Sequence, residues 1–191
     1  MSEEPRARGI SLWLVPEGAT GERLAGLIDR LAARLGTTAF APHVTLLPGV
    51  SGAEDEILDR ARALAADLEP LSIELSGIGG HDAHFRCLFF RVGGSPALRE
   101  AHARAARRFD RAPDPTFDPH LSLVYGSLAA AAKAELTPEL EARIPAPLVA
   151  RRLHVWRTEG AVGDWRELVA LDLGPGIHKP KRAEGWPEDR R

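Results

Sequence analysis

The sequence predicts a single α+β domain built from two related halves that share one site. The first observation is a repeated pentapeptide: PHVTL at residues 42–46 returns as PHLSL at residues 119–123. The second is that apolar periodicity gives each half the same order of strand, helix, motif strand, helix and strand. The third is size, because 191 residues with 44% apolar composition suffice for one core and fit one domain better than two.

The first half carries the first motif on its second strand. Its predicted elements are strand 10–16, helix 20–36, strand 39–50, helix 53–68 and strand 71–78. Thr20 is the expected N-cap of the first helix, and Gly36 is its expected stop because glycine tolerates the left-handed conformation of a C-cap.

The second half repeats this order around the second motif. Its predicted elements are strand 84–92, helix 96–110, strand 119–126, a mostly helical segment 127–142, and closing strands 148–156 and 164–173. Ser95 followed by Pro96 forms a typical helix start, and Pro138 is expected to interrupt or divide the last helical segment. The predicted boundaries are a flexible N-terminal arm at 1–9, one bilobal domain at 10–174 and a disordered polar tail at 175–191.

Composition excludes several classes of protein. Cys87 is the only cysteine, so an intramolecular disulfide and the common structural zinc sites are excluded. The charged N-terminus lacks the apolar core of a signal peptide, and no apolar run approaches the length of a membrane span. A net charge of −2 does not suit a protein that coats nucleic acid, so any RNA contact is expected to be local. We therefore expect a cytoplasmic monomer that does not bind membranes.

The two motifs predict a pair of matched polar surfaces. Residues i and i+2 of a strand share a face, so His43 points with Thr45, and His120 points with Ser122. The intervening apolar residues then face the core. If a pseudo-twofold axis relates the halves, the two histidines face each other across a cleft.

Two histidines on opposite sides of a phosphate suit hydrolysis of a cyclic phosphodiester. One imidazole takes a proton from water, and the other protonates the leaving alkoxide; both tasks are accessible near the ordinary histidine pKa. Hydroxyls of Thr45 and Ser122 can donate to the charged phosphate oxygens. This chemistry requires no metal and no cofactor. The alternative is that both are half-buried strand histidines satisfied by neighbouring backbone.

Four stretches of the chain resemble the two-histidine phosphoesterase superfamily, most closely its plant and yeast type of cyclic phosphodiesterase. They are SLWLVP at 11–16, FAPHVTL at 40–46, FRCLFF at 85–90 and DPHLSLVYG at 118–126. The resemblance implies a bilobal fold with pseudo-twofold-related lobes and antiparallel sheets around a central cleft. It implies as substrates ADP-ribose 1″,2″-cyclic phosphate and nucleoside 2′,3′-cyclic phosphates, opened to monophosphates.

The resemblance also implies residue roles. His120 would be the base and His43 the acid, although the sequence itself does not orient the pair. Trp13, Phe85 and Tyr125 match aromatic positions that line the family's cleft and contact a nucleobase or ribose. Core packing is an equal alternative for Trp13 and Phe85, and Tyr125 reaches the cleft only if its strand bends or ends nearby.

Alternative functions remain open from the sequence. RNA ends are possible partners, as in an RNA 2′,3′-cyclic phosphodiesterase or a 2′-5′ RNA ligase-like protein, and a non-catalytic nucleotide-binding module is a third reading. The helix 96–110 and the residue after it place Arg104, Arg107, Arg108 and Arg111 on one side. This cluster is either a solvated helix face or a rim that attracts phosphate.

Overall fold

The computed structural model describes residues 5–174, and within them it contains nine strands and four α-helices. In chain order these are β1 (Ile10–Leu14), α1 (Gly18–Leu35), β2 (Val44–Val50), α2 (Glu54–Asp67), β3 (Leu71–Ile73), β4 (Leu75–Gly79), β5 (Leu88–Val92), α3 (Pro96–Arg108), β6 (His120–Val124), α4 (Ala130–Glu141), β7 (Leu148–Ala150), β8 (Arg152–Arg157) and β9 (Arg166–Asp172). Two single-turn 3₁₀ helices lie at His84–Arg86 and Val162–Asp164.

In the sheet topology, each half contributes a strand that pairs with the other half. Seven strands form one antiparallel sheet in the order β4-β5-β6-β2-β1-β8-β9, and β3 pairs with β7 separately. One half contributes β1-α1-β2 and the other β5-α3-β6. The last strand of each half then crosses over, because β4 pairs with β5 and β8 pairs with β1. The predicted α+β fold of two related lobes with antiparallel strands is confirmed.

The two halves meet at their motif strands. In the ladder, β2 and β6 are paired at a single position, Val44 with Leu121. Helix α1 packs on β6 and α3 packs on β2, so the first helix of each half covers the motif strand of the other. The apolar residues of both motifs are buried in this core, as predicted: Val44, Leu46, Leu121 and Leu123. The opposite, polar faces of β2 and β6 border a cleft.

Two of the predicted helix features are confirmed and two are wrong. Ser95 caps α3 by accepting a hydrogen bond from the Leu98 N–H, and Gly36 ends α1 with φ 66°. The Thr20 cap is wrong, because α1 begins at Gly18 after Glu17. Pro138 lies inside α4 and does not divide it, because the helix continues to Glu141.

Four predicted strands are divided in the structure or begin more than two residues away from the predicted start. Segments 71–78 and 148–156 are each two short strands, because the chain changes sheet between them. The first motif strand begins at Val44 rather than at residue 39, and the strand predicted from residue 84 begins at Leu88 after a 3₁₀ turn. An alternating apolar pattern alone does not reveal such a change of sheet.

The N-terminal segment is attached to the sheet in its described part. Ala7 and Gly160 exchange two backbone hydrogen bonds of 3.1 Å, and the Thr158 N–H donates to Gly9 O. Residues 5–9 of the predicted flexible arm therefore lie against the end of β8. Residues 1–4 of that arm and the whole predicted tail, 175–191, lie outside the described residues. No helix within residues 5–174 is long and apolar enough to span a membrane.

Candidate active site

A cleft of about 380 Å³ lies where the two motif strands meet. All seven site residues that the sequence predicts line it: Trp13, His43, Thr45, Phe85, His120, Ser122 and Tyr125. The other lining residues were not predicted: Ala7, Arg8, Ser11, Pro48, Gly49, Arg86, Thr158 and Trp165. Both halves thus contribute a histidine and a hydroxyl to one cavity.

Each catalytic candidate is held by the same backbone contact. Nδ1 of His43 lies 2.7 Å from Ala41 O, and Nδ1 of His120 lies 3.0 Å from Asp118 O. A carbonyl oxygen only accepts, so in both rings the proton is on Nδ1 and the lone pair is on Nε2. The structure therefore sets the two imidazoles in matching tautomers, with Nε2 as the nitrogen available for proton transfer.

Tyr125 connects the two halves across the cleft. Strand β6 ends at Val124, so Tyr125 is released from strand parity, which is the condition under which the sequence placed it in the cleft. Its hydroxyl lies 3.2 Å from Nε2 of His43, and its ring stacks on Phe40 at 3.8 Å. Burial raises the pKa of Tyr125, so the phenol stays protonated and donates to His43.

Trp13 supports His43. The indole stacks on the imidazole with centroids 3.6 Å apart, and on Trp156 at 4.7 Å. His43 and Trp156 come from the two sides of β1, so both faces of the indole are covered and Trp13 is only 2% exposed. Of the alternatives for this residue, the structure supports packing, because neither indole face is open to a nucleobase.

Phe89 is the counterpart of Trp13 in the second half. Trp13 pairs in register with Thr45, and Phe89 pairs with Ser122. The Phe89 ring lies 4.8 Å from the ring of His120. The sequence gives no sign of this role, because Phe89 and Phe90 are adjacent apolar residues and only the register of the ladder distinguishes the cleft face from the core face.

Phe85 and Trp165 form an aromatic wall with Tyr125. Phe85 lies in the 3₁₀ turn rather than in a strand, with its ring 5.3 Å from that of Tyr125. Trp165 lies 5.9 Å from both of them. The indole N–H of Trp165 is buried and has no hydrogen-bond partner within residues 5–174.

The two hydroxyls differ in their present partners. Ser122 is buried and donates to Phe85 O at 3.3 Å, whereas Thr45 lies partly exposed in the cleft. A phosphate in the cleft therefore meets a free Thr45 hydroxyl on one side and a Ser122 hydroxyl that must turn on the other.

Both histidines are neutral near neutral pH. Burial lowers the pKa of His43 to about 4, against the opposing effect of Ala41 O. Burial is also the largest cause of the lowered pKa of His120, and the nearby Arg86 guanidinium lowers it further. A bound anionic phosphate has the opposite effect on each pKa, so the acid form is expected to arise when substrate binds.

The predicted arginine cluster is divided by its contacts. Arg104 and Arg107 pair with Glu100, and Arg108 pairs with Asp67, away from the cleft. Arg111 alone reaches the border of the cleft, where it donates to Pro48 O at 2.6 Å. Three of the four arginines therefore belong to a paired helix face, which is one of the two alternatives that the sequence allowed.

Metal-binding groups are not assembled in this part of the chain. Within residues 5–174, no three His, Cys, Asp or Glu side chains are grouped as ligands for a metal ion.

Comparison with known proteins agrees with this geometry. The model of the 2′-5′ RNA ligase superfamily matches residues 13–161, which include both motifs. The chain belongs to this superfamily. Its members are the two-histidine phosphoesterases, and the resemblance noted in the sequence is thereby confirmed.

Relatives of this superfamily member are distant. The Arabidopsis thaliana cyclic phosphodiesterase is 24% identical over 126 residues, 66% of this chain and 70% of that protein. Among solved structures, Escherichia coli LigT complexed with 3′-AMP has a TM-score of 0.58 at 14% identity and covers 88% of this chain and 99% of LigT. A protein of Thermus thermophilus, TT0787, has a TM-score of 0.56 at 17% identity and covers 89% of this chain and 100% of its own. These structures share the fold.

Proposed function

We propose that this protein hydrolyses small cyclic phosphodiesters to monophosphates without a metal ion. The substrates are nucleoside 2′,3′-cyclic phosphates or ADP-ribose 1″,2″-cyclic phosphate. The observation that carries the proposal is the matched pair of imidazoles, each anchored through Nδ1 to a carbonyl and each lining the same cleft beside a hydroxyl. The Arabidopsis relative is a cyclic phosphodiesterase, which supports the same reaction.

Proton transfer can be assigned to the two histidines from their surroundings. Water attacks phosphorus as His120 Nε2 takes its proton, one ribose oxygen leaves, and His43 Nε2 protonates it. Arg86 disfavours the protonated form of His120, which suits a base. The face of Trp13 stabilises a protonated His43 once phosphate binds, which suits an acid. Thr45 and Ser122 donate to the non-bridging oxygens.

Tyr125 gives His43 a partner between turnovers. Its hydroxyl donates to Nε2 of the neutral imidazole. When Nε2 is protonated it no longer accepts, so the Tyr125 hydroxyl must turn and accept from the Nε2 proton instead. Tyr125 thereby keeps His43 oriented in both protonation states.

RNA ends are the second candidate substrate. They are favoured by the match to the 2′-5′ RNA ligase superfamily and by LigT, whose structure contains 3′-AMP. A non-catalytic binding module is less favoured, because both histidines and both hydroxyls are present and aligned.

A substrate panel tests the proposal. Adenosine 2′,3′-cyclic phosphate, ADP-ribose 1″,2″-cyclic phosphate and an oligonucleotide ending in a 2′,3′-cyclic phosphate are each incubated with the protein in EDTA. We expect the small substrates to be opened at undiminished rates in the chelator. Hydrolysis of the oligonucleotide alone would favour RNA ends. Hydrolysis of none of them, or dependence on an added divalent ion, would contradict the proposal.

A further inference from the structure

The cleft carries more positive charge than one cyclic phosphodiester requires. Arg8 and Arg86 line it together with the two histidines, and within residues 5–174 no aspartate or glutamate is among its lining residues. A cyclic phosphodiester has one negative charge, which the histidines and the hydroxyls of Thr45 and Ser122 already face. The two arginines therefore point to a second anionic group on the ligand.

Both arginines lie at the same end of the cleft and come from different halves. Arg8 precedes β1 and runs beside the end of β2, where its carbonyl oxygen is 3.7 Å from the position a Cβ would take on Gly49. Arg86 pairs with Asp118, two residues before His120. Because β6 runs antiparallel to β2, residues before His120 lie toward the Pro48 and Gly49 end of the cleft. Phe40 and Tyr125 lie at the opposite end.

Arg86 retains donor capacity beyond its ion pair. Its guanidinium bonds to Asp118 through Nη2 and lies 5.5 Å from the centroid of the Phe89 ring. Its Nε is buried without a hydrogen-bond partner in the described chain. An unpaired buried donor is unfavourable, and an anionic oxygen from a ligand would satisfy it. Arg8 is exposed and is in no ion pair with another described residue.

The ends of the cleft match the ends of a nucleotide. In a nucleoside 2′,3′-cyclic phosphate, the base on C1′ and the C5′ group on C4′ share one face of the ribose but extend from the two ends of the ring that flank the ring oxygen. With the cyclic phosphate between the histidines, the wall formed by Phe85, Tyr125 and Trp165 suits the base. The 5′ oxygen then points toward Arg8 and Arg86.

We propose that Arg8 and Arg86 bind a second phosphate, carried on the 5′ oxygen of the ribose that holds the cyclic phosphate. The preferred substrates are then 5′-phosphorylated nucleoside 2′,3′-cyclic phosphates. A phosphate at this position has three sources: a free mononucleotide, the last linkage of an RNA chain, or the diphosphate of ADP-ribose 1″,2″-cyclic phosphate. This inference rests on the proposed function for its reaction, although binding of the second phosphate can be measured without turnover.

The test compares matched substrates that differ in the 5′ group. We expect kcat/KM for 5′-phosphoadenosine 2′,3′-cyclic phosphate to exceed that for adenosine 2′,3′-cyclic phosphate by about 10-fold or more, as expected for charge-assisted hydrogen bonds. Arg8→Ala should remove most of this preference while changing kcat/KM for the unphosphorylated substrate by less than about 3-fold. Arg86→Ala should lower kcat/KM for both substrates, because Arg86 also affects His120, but should lower it more for the phosphorylated one. A dinucleotide that ends in the cyclic phosphate distinguishes the RNA source, because it offers a diester at the 5′ position.

Arg107→Ala is the matched control, because it removes an arginine that pairs with Glu100 on the helix face away from the cleft. It should leave both rates unchanged. Equal wild-type rates on the two mononucleotides, or a preference that survives in the Arg8→Ala/Arg86→Ala double variant, would overturn the inference. An equal loss on both substrates in Arg86→Ala would also contradict it, since that result assigns Arg86 to His120 instead.

Binding separates this inference from the proposed function. Calorimetry with adenosine 2′-monophosphate and adenosine 2′,5′-bisphosphate requires no hydrolysis. Tighter binding of the bisphosphate, lost in the double variant, would support the second phosphate site even if no cyclic substrate were hydrolysed. Hydrolysis of adenosine 2′,3′-cyclic phosphate without any effect of the 5′ phosphate would support the function and contradict the site.

Discussion

His43 and Trp13 form a parallel stack with ring centroids 3.6 Å apart and planes 5° from parallel. The indole thus fixes the ring plane of the histidine whose Nδ1 is already fixed by Ala41 O. The backbone of Trp13 pairs in register with Thr45, so one residue of β1 lies beside both the acid candidate and its hydroxyl-bearing neighbour.

Replacing the indole should therefore weaken catalysis more than binding. For Trp13→Leu we expect kcat to fall by about 10-fold, because the imidazole loses its orientation and the π-face that stabilises its protonated form. The measurement is steady-state hydrolysis of adenosine 2′,3′-cyclic phosphate, with the bound-state pKa values taken from the pH dependence of kcat. A rise in KM with unchanged kcat would instead assign Trp13 to substrate binding.

Removal of the hydroxyl of Thr45 or Ser122 should weaken stabilisation of the transition state. Thr45→Ala and Ser122→Ala are each expected to lower kcat/KM by about 10–100-fold, the range for a hydrogen bond to a charged oxygen. Ser72→Ala is the matched control, because Ser72 is an exposed hydroxyl on β3 outside the cleft. Wild-type kinetics in both cleft variants would remove the hydroxyls from the proposed site.

The pH profile should have an acidic optimum. The reaction needs one protonated and one neutral histidine, and the pKa of His43 is lowered to about 4 while that of His120 is also lowered. Both are neutral at higher pH, so kcat/KM should rise as pH falls from 8 and be greatest below the ordinary histidine pKa of about 6.5. The kcat profile should be shifted to higher pH, because bound phosphate favours the protonated acid. An optimum of kcat/KM above pH 8 would contradict this.

Burial of neutral His43 should make the fold sensitive to acid. Because its pKa is lower in the folded protein, the unfolded chain binds more protons between pH 6.5 and about 4, and stability falls as pH falls through that window. Once pH is below the folded pKa, this difference in the His43 pKa lowers the free energy of unfolding by about 3 kcal/mol in total. The free energy of unfolding, measured with denaturant, should fall between pH 7 and pH 4.5 in both proteins. The fall should be smaller in His43→Gln than in wild type by about 2–3 kcal/mol. Identical losses would show that His43 does not titrate as a buried group.

Much of the site follows from the sequence because the motifs are local. Side chains alternate between the two faces of a strand, so the five residues of each motif suffice to predict a shared face. They predict it for His43 with Thr45 and for His120 with Ser122. The repeated order of elements likewise predicts two halves. Tyr125 could be predicted only conditionally, since its place depends on where β6 ends.

The remaining features depend on contacts between distant segments. Arg8 reaches the cleft through the N-terminal bridge to Gly160, and Trp165 reaches it through the turn before β9. Phe89 reaches the ring of His120 through strand register. No short pattern marks them. A local pattern also does not show that β4 and β8 each pair with a strand of the other half. The residue pattern of β3–β4, like that of β7–β8, predicts one longer strand.

The central claim is that His43 and His120 act together as acid and base. Its most direct test is the turnover of adenosine 2′,3′-cyclic phosphate by His43→Ala and His120→Ala, with circular dichroism to verify folding. Arg107→Ala is the control, since Arg107 pairs with Glu100 on a helix face away from the cleft. We predict that each cleft variant loses about 10²–10⁴-fold in kcat while the control keeps its rate. Wild-type turnover in either folded cleft variant would contradict the acid–base pair.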